Sequence, residues 1–222
     1  MSEESLPPGV TTGSTYIDLG AVTPEAFSIS EKSRKMARQA IGNETPEDRI
    51  RQRCSIAVGD FAMAPLLRFR LDPVPAVLAA LARNAPIFTD IRMVNLGIQK
   101  KGHGSPIICA LDYGQEMAAD RGITRTSAGF IALKEQLNGS IIVIGNAPSS
   151  LLSVCRLIEA GVRPAVVIGT PVGFVNAAES KDVLRRLDVP SISNEGTRGG
   201  TPVAVAAINE CITMRVEEGM SQ

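Results

Sequence analysis

From about residue 87 onward, short runs of branched apolar residues alternate with longer stretches of helical periodicity. The runs predict strands at Ile87–Arg92, Pro106–Leu111, Ser140–Ile144, Ala165–Ile168 and Ser191–Ser193. The periodic stretches predict helices over Thr126–Leu137, Ser149–Ala160, Ala178–Leu187 and Pro202–Val216. A run such as Ile141-Ile142-Val143-Ile144 has no polar face, so it suits a sheet buried on both sides. The alternation therefore predicts an α/β fold, with a mostly parallel five-stranded sheet between helices. The first part of the chain reads differently. Residues 24–59 are helical in pattern, interrupted at Gly42-Asn43. Thr45-Pro46-Glu47-Asp48 then restarts a helix with an N-cap, a proline at the first helical position and acids in the first turn. A further helix, rich in Ala and Leu, is expected over Pro75–Arg83. Residues 1–20 hold Pro7, Pro8, Gly9 and several Ser and Thr, and read as a flexible arm. Residues 21–222 read as one domain, because no Gly/Ser or Pro-rich linker divides them.

Composition narrows the function classes. The chain has 222 residues, 44% of them hydrophobic, with 23 Lys+Arg against 23 Asp+Glu. That balance argues against a general nucleic-acid binder or an anionic-membrane binder. No apolar run approaches the roughly 20 residues that span a bilayer. The polar, acidic start MSEESLPPGV does not read as a signal peptide, so a cytoplasmic setting is expected. Cys54, Cys109, Cys155 and Cys211 form no CxxC pair, which disfavours a zinc ribbon or redox dithiol. The chain has a single histidine, His103. No multi-histidine metal site is possible, and only one imidazole is available for acid–base work. It lies in the glycine- and lysine-bearing segment QKKGHGSP, which reads as a surface loop. No GxSxG elbow accompanies it, so hydrolase chemistry is disfavoured.

Three strand–loop–helix junctions carry the best signals for a site. The first is IIVIGNAPSS, where Gly145 and Asn146 permit a turn and Pro148 suits the first helical turn. The second follows VVIG with Gly173 and leads to Lys181. The third is NEGTRGGTP, with Arg198, Gly199 and Gly200. Each opens a helix whose free N–H groups would face off a strand tip, a setting that suits an anion. Any one of them alone is an ordinary tight turn. Together, with Asn146, Lys181 and Arg198 embedded, they point to a site beyond the carboxyl ends of the strands. There is no Walker A loop, and no GxGxxG follows a strand, so nucleotide binding is unsupported. Arg125, in TRTSAGF, falls at the start of a helix, where a cation is poorly placed against the dipole. It is either a surface residue or one kept to grip a carboxylate.

Taken jointly, TDIRMVNLGI (89–98), TRTSAGF (124–130), IGNAPSSLL (144–152), VIGTPVGFVNAAESKDVL (167–184) and EGTRGGTPVAVAAIN (195–209) resemble the precorrin-8X methylmutase family, also called cobalt-precorrin-8 methylmutases. The resemblance implies a flavodoxin-like three-layer α/β/α fold and a homodimer with sites at the subunit interface. It implies an isomerase of cobalamin biosynthesis that moves a methyl group from C11 to C12 of a corrin precursor by a 1,5-sigmatropic shift. No cofactor and no metal are expected in the protein itself, and neither a nucleic-acid nor a membrane partner. On this resemblance the substrate-binding residues would be Arg53, Thr89, Arg125, Asn146, Ser149, Lys181, Arg198 and Gly199. The family uses a histidine to manage a proton on the ring system. In RCSIAVGD (53–60) Arg53 and Gly59 keep their places, but the histidine position is Ile56. The serine of the family's N-terminal Ser-Phe pair appears as Ala26, before Phe27. The catalytic residue is thus unassigned, with His103, the one imidazole, or the neighbouring Cys54 or Ser55 as the groups that could take the role. The alternative is a divergent paralogue that binds a tetrapyrrole without isomerising it.

Overall fold

The computed structural model describes residues 23–220, and the arm expected over residues 1–20 lies outside them. In chain order the helices are α1 (Pro24–Ile41), α2 (Pro46–Val58), α3 (Pro73–Ala82), α4 (Arg92–Gly97), α5 (Gln115–Arg121), α6 (Arg125–Ala132), α7 (Pro148–Glu159), α8 (Ala177–Arg186) and α9 (Thr201–Met220). The strands are β1 (Leu67–Arg70), β2 (Ile87–Thr89), β3 (Ile107–Cys109), β4 (Ile141–Ile144), β5 (Val166–Gly169) and β6 (Ser191–Asn194). They form one sheet in the order β1-β6-β5-β4-β2-β3. Five strands are parallel, and β1 runs antiparallel to β6. Without β1, the order β3-β2-β4-β5-β6 is the 2-1-3-4-5 arrangement of a flavodoxin-like sheet.

The sixth strand corrects the expectation of five. β1 reads Leu-Arg-Phe-Arg, an alternating edge pattern rather than a buried apolar run. The strand expected over Ile87–Arg92 also stops early, at Thr89. Asp90 turns the chain there, its carboxylate accepting the Ile91 N–H, and α4 follows in place of further strand. The helix expected over Thr126–Leu137 divides into α6 and a 3₁₀ turn at Lys134–Leu137. Helix α5 was not among the expected elements.

Alternate residues of each central strand enter opposite cores, as a period of two requires. Ile141, Val143 and Ile168 pack with Val74, Val94, Val203 and Ile208, from α3, α4 and α9. Ile142, Ile144 and Val167 pack with Phe130, Leu151, Val154 and Leu184, from α6, α7 and α8. Helices α1 and α2 lie outside α9 and are tied to it by charge. Glu210 of α9 is fully buried and accepts from Arg34 of α1 and from Arg49 of α2, the latter at 2.9 Å. Arg49 also bonds Glu217 at 2.6 Å. A buried carboxylate between two guanidiniums costs much less than one alone, so this cluster sets where the N-terminal helices dock.

Candidate active site

The parallel strands bring the loops after β2, β4, β5 and β6 to one edge of the sheet, where the three junctions were expected. Strand β1 adds a segment that periodicity did not place. Because it is antiparallel, with Leu67 opposite Asn194, the chain entering it arrives at the same edge. That chain is the end of α2 and the 3₁₀ turn at Phe61–Leu66. Arg53 and Ile56 therefore lead into the edge that carries the glycine loops. Arg198 Nη1 joins the two by bonding Asp60 Oδ2 at 3.0 Å.

The crevice of such a sheet lies between β2 and β4, where the strand order reverses. Here it is filled from within. Asp90, fully buried, accepts backbone N–H groups from Asn146 at 2.7 Å, Ala147 at 2.8 Å and Gly145 at 3.3 Å, besides that of Ile91. The N–H groups of the turn before α7, expected from the sequence to suit an anionic ligand, are instead taken up by the chain's own Asp90 carboxyl. Burial pushes the Asp90 carboxyl above its usual range, and the four N–H groups pull against that rise. Asn146 keeps its backbone N–H on Asp90 while its side chain lies at the exposed surface. Gly145 is required because a Cβ would stand 2.9 Å from Thr201 Cα, where α9 begins.

Beside this crevice the N-termini of α6 and α7 meet through hydroxyls. Thr124 Oγ1 lies 2.8 Å from Ser127 Oγ, 2.9 Å from Ser149 Oγ and 3.3 Å from Thr126 Oγ1. The cluster sets Arg125, in the first turn of α6, out into solvent. Among the described residues Arg125 has no hydrogen bond or ion pair, so its guanidinium is available to an anion. Thr89 is fully buried, and its hydroxyl bonds the Ile108 carbonyl at 3.3 Å.

The β5 and β6 loops are braced against each other. Gly200 N–H donates to the Thr170 carbonyl at 2.7 Å, and Gly173 N–H to the Thr197 carbonyl at 3.1 Å. Gly199 has φ 143°, and a Cβ there would stand 2.3 Å from the Thr170 oxygen. Lys181 is fully buried; its Nζ bonds the Arg198 carbonyl at 2.6 Å and Asn194 Oδ1 at 3.3 Å. Its amine thus holds the Arg198 loop from behind and does not reach solvent. Burial, with the Arg185 guanidinium nearby, pushes the Lys181 ammonium down to about 8.

At the end of α2, Ser33, Met36, Ser55, Ile56, Gly59, Asp60 and Phe61 line a cleft of about 260 Å³. Gly59 is left-handed at φ 65° and ends the helix in the usual way. Arg53 is half-buried, with no hydrogen bond or ion pair among the described residues. Ser55 Oγ is buried without a partner. Burial pushes the Cys54 thiol far up, and its Sγ lies 3.5 Å from the Val203 carbonyl. That thiol is a packing group at neutral pH, with no acid–base capacity.

His103 lies in the loop between α4 and β3, which returns the chain to the amino ends of the strands. It is thus at the opposite edge from the site loops. Ser105 N–H donates to Nδ1 at 3.1 Å, so the ring proton sits on Nε2, which donates to the Gln99 carbonyl at 2.7 Å. Both nitrogens are used in shaping this loop. Among the described residues no three His, Cys, Asp or Glu side chains group closely enough to hold a metal ion.

Comparison with known proteins identifies the family. Residues 28–214 match the Precorrin-8X methylmutase family. The chain belongs to that family. Cobalt-precorrin-8 methylmutase of Methanocaldococcus jannaschii is 37% identical over 213 residues, spanning 90% of this chain and 99% of that protein. The enzyme of the same name from Methanothermobacter thermautotrophicus is 38% identical, spanning 88% and 97%. The crystal structure of the precorrin-8X methylmutase from Thermus thermophilus superimposes with a TM-score of 0.80 at 33% identity, covering 87% of this chain and 98% of that one.

In this methylmutase chain the structure gathers Arg53, Arg125, Asn146, Ser149, Arg198 and Gly199 at one edge. Thr89 and Lys181 lie buried just behind it, and His103 is set apart. Sequence reasoning missed Asp90 and the Thr124 hydroxyl. A carboxylate directly after a buried strand, and three hydroxyls around Arg125, were the signals available for them. Among the described residues no helix is long and apolar enough to cross a membrane.

Proposed function

We propose that this chain is the isomerase its relatives' names describe, moving a methyl group from C11 to C12 of precorrin-8X or its cobalt form. The observation that carries the reading is the match over residues 28–214. The site supports it. A corrin precursor is a large apolar ring fringed with carboxylates. Arg53 and Arg125 carry free guanidiniums at the carboxyl edge, and Arg198 keeps donors beyond the one Asp60 uses. Planar guanidiniums suit carboxylates, so a neutral protein can hold such a ring with a few of them.

A sigmatropic shift is internal to the substrate: one C–C bond forms at C12 as another breaks at C11, and nothing is consumed. The chain's task is to bind the reactive tautomer more tightly in its transition state than in its ground state. Ile56, where the family resemblance calls for histidine, cannot carry a proton, and the Cys54 thiol is held protonated by burial. Proton exchange on the ring therefore falls to solvent or to the substrate's own carboxylates. General acid–base help is worth about 10²–10⁴-fold, so this chain works by positioning and is slower than a histidine-bearing relative. The setting is cytoplasmic, and the working unit is a homodimer in which the subunit interface completes the site.

Purified protein mixed at stoichiometric ratio with precorrin-8X should convert its absorbance spectrum to that of hydrogenobyrinate. No conversion, with the ring retained unchanged, overturns the isomerase reading in favour of a tetrapyrrole-binding paralogue. Ile56→His should raise turnover by about 10²–10⁴-fold, read as kcat under saturating substrate.

A further inference from the structure

The loop between β5 and α8 carries the most exposed large apolar side chain among the described residues. Phe174 is 96% exposed, beside Val175 at 75% and Val172 at 44%. Three neighbouring apolar side chains facing water on a tight loop are not needed for folding, since none of them enters either core. Their backbone is nevertheless held firmly. Thr170 N–H donates to the Ile144 carbonyl, Gly173 N–H to the Thr197 carbonyl and Ser180 N–H to the Asn176 carbonyl. Gly173 at φ 147° and Asn176 at φ 60° bracket the tip with two unusual conformations. The Gly173–Thr197 bond, with that of Gly200 N–H to the Thr170 carbonyl, also braces the loop that bears Arg198, whose carbonyl Lys181 pins from behind. An apolar aromatic tip and a cation are thus mounted side by side on one rigid support.

We propose that Phe174 is the substrate-contacting residue on which the corrin ring packs face to ring, with Arg198 on the adjoining loop taking a peripheral carboxylate. This deepens the proposed function and rests on it. The match is chemical. The ligand class is a flat apolar macrocycle with anions at its rim, and the support presents an apolar face with a cation beside it. Aromatic side chains give the largest contact area for the least conformational freedom lost. The chain has no tryptophan and only 8 aromatic side chains, 6 Phe and 2 Tyr, which makes one placed fully in solvent the more telling.

The test uses the full chain with hydrogenobyrinate as probe. Phe174→Ala should raise the Kd by about 10- to 100-fold, as for truncation of a central aromatic contact. Its urea midpoint and its sedimentation mass should match the parent, because the side chain is outside the core. Phe174→Trp should keep binding and supply the chain's only tryptophan, whose emission the bound ring should quench. Unchanged affinity in Phe174→Ala, or unquenched emission in Phe174→Trp, overturns the proposal while leaving the isomerase reading standing. A change of association state in Phe174→Ala also overturns it, because the tip then covers a second copy of the chain. If the parent protein neither binds hydrogenobyrinate nor converts precorrin-8X, the reading of function falls, and this proposal with it.

Discussion

The two edges of the sheet differ in what their bonded groups do. At the amino edge the imidazole and its neighbours close on each other, although Gln99 Oε1 and Ser105 Oγ stay buried without a partner. His103 has both nitrogens bonded, Gly104 N–H donates to Asn84 at 3.0 Å, and Asn209 bridges Gln99 N–H at 2.9 Å and the Gly97 carbonyl at 3.0 Å. At the carboxyl edge the backbone is as tightly held, but side chains are left over. Asp90, Lys181 and the Thr124 cluster hold loops, while Arg53, Arg125 and Asn146 keep unpaired polar groups. Bonds that end within the fold give shape; groups left open on a rigid frame are free to meet a ligand. The single imidazole therefore belongs to architecture, although its chemistry made it the first candidate for catalysis.

The largest effect should come from breaking the frame of the carboxyl edge. Asp90→Ala strands three N–H groups at the β4–α7 turn, and each buried orphan costs about 1–3 kcal/mol. A loss of about 4 kcal/mol in unfolding free energy is expected by urea titration, together with loss of corrin binding. An unfolding free energy within 1 kcal/mol of the parent would deny that Asp90 holds the edge.

Next is the buried amine behind Arg198. Lys181 has its folded pKa at about 8, below the ordinary 10.5, so between those values the unfolded chain binds more protons than the folded one. Stability should therefore rise as pH climbs from 8 to 10.5, by at most about 3 kcal/mol. Lys181→Met should lose that rise, as measured by chemical denaturation across the window. A parallel pH profile in both proteins would remove Lys181 from the account.

Arg125→Ala and Arg53→Ala touch only the open groups. Each should weaken hydrogenobyrinate binding by about 10- to 100-fold, the worth of a charge-assisted bond, with the melting temperature within a degree or two of the parent. Equal affinity in both variants would mean the open cations are mere surface. The smallest effect should be at the other edge. His103→Ala should cost about 1 kcal/mol of stability and leave kcat unchanged, since both bonds it loses are local. Abolished turnover would reverse the comparison and put the proton role on His103.

Legibility in the sequence followed the same physics. Ile141–Ile144 was readable because a strand buried on both faces must be apolar throughout, and the loop glycines because only they tolerate the crossing at Thr170. Strand β1 was not readable, because Leu-Arg-Phe-Arg is an ordinary surface pattern until β6 stands beside it. Asp90 carried only a faint signal, because an acid after a buried strand looks like any other in TDIR until the β4–α7 turn closes over it. Lys181 was singled out for its charge, but the face of α8 it occupies turns that charge inward.

By itself, then, the sequence determined the layers, the parallel strands, the three loops and the family, since apolar periodicity, glycine placement and motif blocks are local properties of the chain. Tertiary structure alone decided which charges are spent inside and which remain for a ligand. It also brought Arg53 and Ile56 to the carboxyl edge through the antiparallel β1 and the Asp60–Arg198 pair. Those outcomes depend on contacts between segments more than 100 residues apart, as between Asp60 and Arg198, and no local pattern encodes them.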